Sequence, residues 1–239
     1  MTTPLYLNDA YQTRAEGTVT GITDQGGIIL DQSLFYATSG GQPGDSGTLN
    51  WDEHDIEITT TLKGEGGTIV LIPAEGATRP AVGQAVTQNI NWDIRYAHMR
   101  MHTALHLLSV VIPLPVTGGA ITAVKGRLDF DMPEAPDDKD ALTEILNAII
   151  ARNFDITERW ISDAELDANP GLVKTMSVQP PRGAGRIRLV RIGDVSEQVD
   201  LQPCGGTHVA KTGEIERVAI SKVEKKGKQN RRVHLVFQD

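Results

Sequence analysis

Along residues 1–90, apolar and polar positions alternate in short runs at 17–22, 28–30, 47–51, 55–62 and 68–72. A period of two puts every second side chain on the same face of an extended chain, so these runs predict short β-strands. Gly26-Gly27 and Gly64-Glu-Gly-Gly67 punctuate them, as turns between strands require. Strands of this length and spacing predict a small β-barrel. The Pro- and Gly-containing stretch 72–83 reads as a long loop inside or near the end of it.

From residue 91 the period changes to that of a helix. Asn91 or Asp93 can cap a helix running to about residue 112, where Pro113 stops it, with Ile94, Ala97, Met101, Ala104, Leu105 and Leu108 as the buried stripe. A Pro- and Gly-rich connection (113–119) leads to a strand at 126–130. A second amphipathic helix is predicted over 136–153, capped by Asp137 or Asp138, with Leu142, Ile145, Leu146 and Ile149 turned inward. Residues 154–160 read as a strand. Ser162 and Glu165 form a capping box that opens a short helix ending by Asn169-Pro170. Alternation returns at 186–192, 217–223 and 231–237. The pattern predicts two domains, a β-barrel over 1–90 and an α+β domain over 91–239 built on antiparallel sheet.

Composition changes this picture little. The 239 residues are 39% apolar and 23% charged, as in an ordinary globular protein. No apolar run is long enough to span a bilayer, and the N-terminus lacks a signal-peptide pattern, so no membrane association is expected. The single cysteine excludes an internal disulfide and fits a cytoplasmic location. Charge is more informative. The net value of −8 argues mildly against nucleic acid, but residues 170–239 hold 13 Lys+Arg against 7 Asp+Glu, whereas residues 1–169 hold 10 against 24. The basic part, densest at Lys222, Lys225, Lys226, Lys228, Arg231 and Arg232, suits an anionic partner or else forms a solvated hairpin tip.

The chemistry concentrates in two short windows. His102 and His106, four residues apart on the first helix, share one face. Cys204-Gly-Gly-Thr-His208 supplies a thiol and a third imidazole on a loop whose glycines permit a tight turn. Together they are a complete donor set for Zn2+. His98 lies one turn too far along the helix to join easily and reads as a supporting residue. A zinc protease would carry Glu directly after the first histidine, where this chain has Thr103, so that class is excluded. Four protein ligands mark a structural zinc, but a site in which one ligand yields to water or substrate has the same spacing. Both readings stand. The stretch 34–47, with Gly40, Gly41, Gly44 and Gly47, reads from its residues alone as a tight structural loop.

The pair His102-Thr-Ala-Leu-His106-Leu-Leu and Cys204-Gly-Gly-Thr-His208-Val resembles the zinc signature of the alanyl-tRNA editing domain, found in alanyl-tRNA synthetases and in freestanding AlaX proteins. Three further stretches resemble that family in the same order: the glycine-rich segment 35–47, the strand 186–193, and Lys211-Thr-Gly-Glu-Ile215. With no aminoacylation domain ahead and the chain ending soon after the zinc motif, the medium-type freestanding AlaX form is expected. The resemblance implies hydrolysis in trans of tRNA(Ala) charged with serine or glycine, and no obligate protein partner. It implies His102, His106, Cys204 and His208 as zinc ligands, Gln42 as the motif glutamine used in editing, and Thr38 as a hydroxyl that tells seryl from alanyl esters. Asp200 and Gln202 are supporting candidates behind the ligands. Arg182, Arg186, Arg188 and the basic cluster at 222–232 are expected where an acceptor stem arrives. The rival class is a zinc-stapled RNA-binding module without hydrolytic activity, which would have no use for Gln42 and Thr38.

Overall fold

The computed structural model describes residues 1–175 and 185–238. Helices and strands are mixed throughout, and the chain divides into two compact units, Met1–His98 and Met99–Asp239.

In the first unit, β1 (Thr3–Pro4) pairs in parallel with β4 (Gln32–Ser33). The remaining strands are β2 (Arg14–Ile22), β3 (Ile28–Leu30), β5 (Gly47–Trp51), β6 (His54–Lys63), β7 (Ile69–Pro73) and β8 (Ala85–Ile90). They close a six-stranded barrel in the order β2-β3-β7-β6-β5-β8, with every pairing antiparallel. Closure leaves no free edge. Leu30, Leu49, Ile56, Ile58, Leu71 and Val86 fill its centre. Strand β8 has no counterpart in the alternation reading, because its inward residue between Val86 and Ile90 is Gln88. That side chain is fully buried and satisfied by backbone. It accepts from the Leu34 N–H at 3.0 Å and donates to the Gln32 carbonyl at 3.1 Å.

Helix α1 (Trp92–Val111) contains the division between the units. The Asn91 side chain accepts from the Ile94 N–H at 3.4 Å, as expected of a cap. The single apolar stripe does not hold: Met101 to Ser109 are buried without interruption, histidines included, while Ile94 and Ala97 are only partly covered. A helix buried all round belongs to a core rather than a surface.

Among its described residues the second unit holds two antiparallel sheets. One contains β9 (Val116–Ile121), β10 (Lys125–Asp131), β14 (Arg217–Lys226) and β15 (Asn230–Gln238), in the order β14-β15-β10-β9. The other is β11 (Ile156–Ile161), β12 (Ile187–Gly193) and β13 (Gln198–Pro203), in chain order. A Cβ on Gly126 of β10 would meet Met101 of α1 at 2.8 Å, so glycine there lets strand and helix approach closely. Helix α2 (Lys139–Ala151) is capped by Asp138, whose side chain accepts from the Asp140 and Ala141 N–H groups. Its buried face is Thr143, Leu146, Asn147 and Ile150; of the aliphatic stripe predicted only Leu146 is fully covered, and Ile145 is exposed. The polar pair is turned inward because it meets β14. Asn147 bonds both the N–H and the carbonyl of Val218, and the Thr143 hydroxyl accepts from the Ile220 N–H. The short helix α3 (Asp163–Asp167) carries the predicted Ser162–Glu165 capping box. Among the described residues no helix is long and apolar enough to cross a membrane.

Candidate metal centre

The second unit gathers His102, His106, Cys204 and His208 so that one donor atom from each lies within 4.8 Å of all the others. Helical spacing stacks the first two, with ring centroids 5.2 Å apart, and the His208 ring sits 4.3 Å from His102 and 4.6 Å from His106. The Cys204 sulfur is 3.5 Å from His102 Nε2 and 3.3 Å from His208 Nε2. All three histidines are buried. Four soft or borderline donors converging at this range, with no carboxylate among them, fit Zn2+ and not a hard cation that prefers oxygen.

Neighbouring side chains fix which ring nitrogen faces the centre. Nδ1 of His106 lies 3.1 Å from Asp200 Oδ2 and donates to it, which leaves Nε2 bare for a metal. Asp200 is itself held by Gln202 Nε2 at 2.7 Å and by Lys174 Nζ at 2.5 Å. Thr103 performs the same service for His208. Its hydroxyl donates to the Met99 carbonyl at 2.9 Å, so toward Nδ1 of His208, 3.1 Å away, it can only accept. The residue that replaces a protease glutamate is thus a tautomer-setting hydroxyl. Asp200 and Gln202 lie where the resemblance suggested. The roles of Thr103 and Lys174 were not legible, because their partners lie 105 and 26 positions away.

Charge follows the geometry. Burial disfavours a charged His106, but the Asp200 hydrogen bond and the Cys204 sulfur outweigh it and push the ring up to about 9. Burial would raise Asp200, yet His106 and Lys174 bring it down to about 2. Burial also opposes ionisation of Cys204, but the charges of His102 and His208 hold the thiol well below its ordinary value. His208 is pushed down to about 3 by burial and by the charge on His102. The thiolate and the neutral His208 ring are already in the protonation state a metal needs, whereas His106 would have to give up a proton to bind one.

The ligand loop is held from behind. The Gly206 N–H points at the Cys204 sulfur, 3.4 Å away. Arg188 Nη1 donates to the Cys204 and Gly206 carbonyls at 2.9 and 2.7 Å, and its Nη2 pairs with Glu158. Arg188, expected at an acceptor stem, is therefore a buried clamp. Neither Gly205 nor Gly206 has a positive φ. The turn does not demand glycine for its backbone angles, contrary to the sequence argument.

Gln42 and Thr38 belong to the first unit, in the loop between β4 and β5. Gln42 is fully buried, and its backbone exchanges hydrogen bonds with Ser39. The Thr38 hydroxyl donates to the Thr61 carbonyl at 3.1 Å and accepts from the Gly44 N–H at 2.8 Å. Gly40 and Gly41 have positive φ, and a Cβ at Gly44 would lie 2.0 Å from the Thr61 carbonyl oxygen. The anchor is a buried ion pair not anticipated from the sequence. Arg95 Nε lies 3.0 Å from both Asp45 carboxylate oxygens, and the Arg95 guanidinium also donates to the Leu34 and Ala10 carbonyls. Asp45 in turn accepts from the Tyr36 N–H at 2.6 Å.

Of the basic cluster, Arg232 is fork-bonded to Asp129, Arg231 bonds the Pro133 carbonyl, and Lys222 pairs with Glu224. Lys225, Lys226 and Lys228 at the β14–β15 turn are exposed. Arg182 lies outside the described residues.

Comparison with known proteins follows the same division. Residues 9–94 match the family described as tRNA synthetases class II (A), and residues 187–234 match the threonyl and alanyl tRNA synthetase second additional domain. The chain is 35% identical to the alanyl-tRNA editing protein AlaX-M of Methanosarcina acetivorans over 249 residues, covering 100% of both chains. It is 34% identical to AlaX-M of Saccharolobus solfataricus, covering 98% of each. It is also 32% identical to the alanine–tRNA ligase of Pyrobaculum arsenaticum, across 94% of this chain and 25% of that one.

Proposed function

The chain belongs to the AlaX-M family of alanyl-tRNA editing proteins, and from that premise we propose that it is a zinc-dependent aminoacyl-tRNA deacylase acting in trans on tRNA(Ala) charged with serine or glycine. The observation that carries this reading is the convergence of His102, His106, Cys204 and His208, with the latter two inside the stretch that matches the synthetase additional domain. In this reading residues 1–90 are a barrel domain bearing the glycine-rich motif, residues 91–239 are the editing domain, and the work is done in the cytoplasm.

The four ligands would hold Zn2+, which when bound supplies either a Lewis-acid centre for an ester carbonyl or a closed staple for the loop. The chain's own groups do the rest. Asp200 and Thr103 set the ring orientations of His106 and His208, and Arg188 with the Gly206 N–H holds the loop so that the sulfur faces inward. Serine differs from alanine by one hydroxyl, and a pocket that hydrogen-bonds that hydroxyl rejects the ester lacking it far better than an apolar pocket could do the reverse. Gln42 and Thr38 are the proposed polar readers. Thr38 already spends its donor on Thr61 and one lone pair on Gly44, so it would read a serine hydroxyl by accepting from it. The three exposed lysines at the β14–β15 turn would meet phosphates. Charge reversal at Lys225, Lys226 and Lys228 should weaken tRNA binding and flatten its salt dependence by about one unit of slope per lysine, with metal content unchanged. Binding that does not move would remove the turn from the interface.

The test is single-turnover hydrolysis of Ser-tRNA(Ala), Gly-tRNA(Ala) and Ala-tRNA(Ala) by the full chain carrying one zinc. Faster loss of the seryl or glycyl ester supports the reading. Binding of tRNA without turnover of any ester would make the chain an RNA-binding module instead.

A further inference from the structure

The three-stranded sheet has two unlike faces. One packs Ile161, Ile187 and Leu189 with Leu166 into a small core. The register puts Ile156, Glu158 and Trp160 of β11 opposite Ile192, Val190 and Arg188 of β12, and β13 continues those rows with Asp200 and Gln202. Directly opposed residues in antiparallel strands share a face, so Trp160 stands on the face that carries the groups behind the metal ligands. Its own row is informative. Trp160 opposes Arg188, and the Arg188 carbonyl accepts from the Cys204 N–H at 3.1 Å. Trp160 is therefore two strand spacings from the ligand loop, about 10 Å between backbones.

Unlike the rest of that row, the indole is 43% exposed. The Arg186 guanidinium lies over its ring, 5.7 Å from the centroid, and is exposed as well. An aromatic face on an edge strand with Arg186 over it has the chemistry of a stacking surface for a base on an anionic backbone.

We propose that Trp160, with Arg186 over its ring, binds the terminal adenosine of the single-stranded acceptor end and so delivers the 3′ ester toward the ligand loop. The inference rests on the editing reading for its substrate. Arg188 makes the geometry rigid: it pairs with Glu158 beside Trp160 and clamps the Cys204 and Gly206 carbonyls, so platform and ligand loop share one fixed residue.

The experiment uses the full chain and an RNA acceptor-stem hairpin ending in single-stranded CCA, read by tryptophan fluorescence, alongside deacylation of mischarged tRNA. The hairpin should quench wild-type emission, and an otherwise identical hairpin with an abasic terminal sugar should not. W160A should abolish the quenching and raise KM about tenfold, the scale of one lost base stack, with kcat and zinc content unchanged. W160F should recover most of the KM. Quenching that survives in W160A, or a KM that W160F does not recover, overturns the proposal while leaving the editing reading intact. Quenching lost in W160A in a chain that hydrolyses no ester keeps the platform and removes the editing reading. Neither quenching nor hydrolysis removes both.

Discussion

The glycine-rich loop of the first unit and the ligand loop of the second are both short, glycine-bearing and bent, yet they are fixed by opposite means. The first is held by its own protein contacts: two glycines at positive φ, one pressed on Thr61, and the buried Arg95–Asp45 pair beneath. The second has no glycine at positive φ and brings a thiolate and three imidazoles together, with Arg188 clamping its carbonyls. One loop is complete as a protein structure, and the other gathers four donors that could hold a metal ion.

That contrast can be broken at several points. The largest effect is expected at Arg95. Arg95→Leu strands the buried Asp45 carboxylate without its partner and should cost about 3–5 kcal/mol in urea unfolding. A loss under about 1 kcal/mol would mean the glycine-rich loop does not depend on the pair. Next is Asp200→Asn, which removes the acceptor that orients His106. Zinc affinity measured by competition with a chromophoric chelator should fall roughly 10- to 100-fold with the fold retained. Unaltered affinity would show that the ring is held by packing alone. Acidification should separate the loops next. Ligand groups must shed protons to bind metal, so affinity falls as pH falls, and released zinc should appear on titration from pH 8 to 5. Zinc retained in full at pH 5 would contradict a thiolate–imidazole donor set. The smallest effect is Thr38→Val, which deletes one donated and one accepted hydrogen bond in a loop still anchored by Asp45. About 1 kcal/mol of stability should be lost, whereas a selective fall in seryl-ester hydrolysis would mark the hydroxyl as a reader.

The cluster of four donors was legible because its spacing is local: two histidines four apart, and Cys204 four before His208. The barrel's longer strands were legible because their inward residues are aliphatic. Strand β8 was missed because Gln88 faces inward, β9 because Gly118 and Gly119 read as loop, and β13 because Asp200 and Gln202 face the metal site. In β8 and β13 the polar residue's partner is remote in sequence. The same holds for Arg95, a buried cation whose partner lies 50 residues earlier. On α2, buried Asn147 and exposed Ile145 invert the apolar rule, because what that face meets is backbone.

That contact bears on how copies of the chain can meet. Strand β14 is the outer strand of its sheet, and an outer strand normally offers a ladder of unused amide groups to any extended peptide. Here Val218 gives both its groups to Asn147, while Ile220 gives its N–H to Thr143 and its carbonyl to Lys139. A side-chain carboxamide stands where the next strand's backbone would be, so α2 acts as a counterfeit neighbour. Filament growth from that border would first have to peel the helix away.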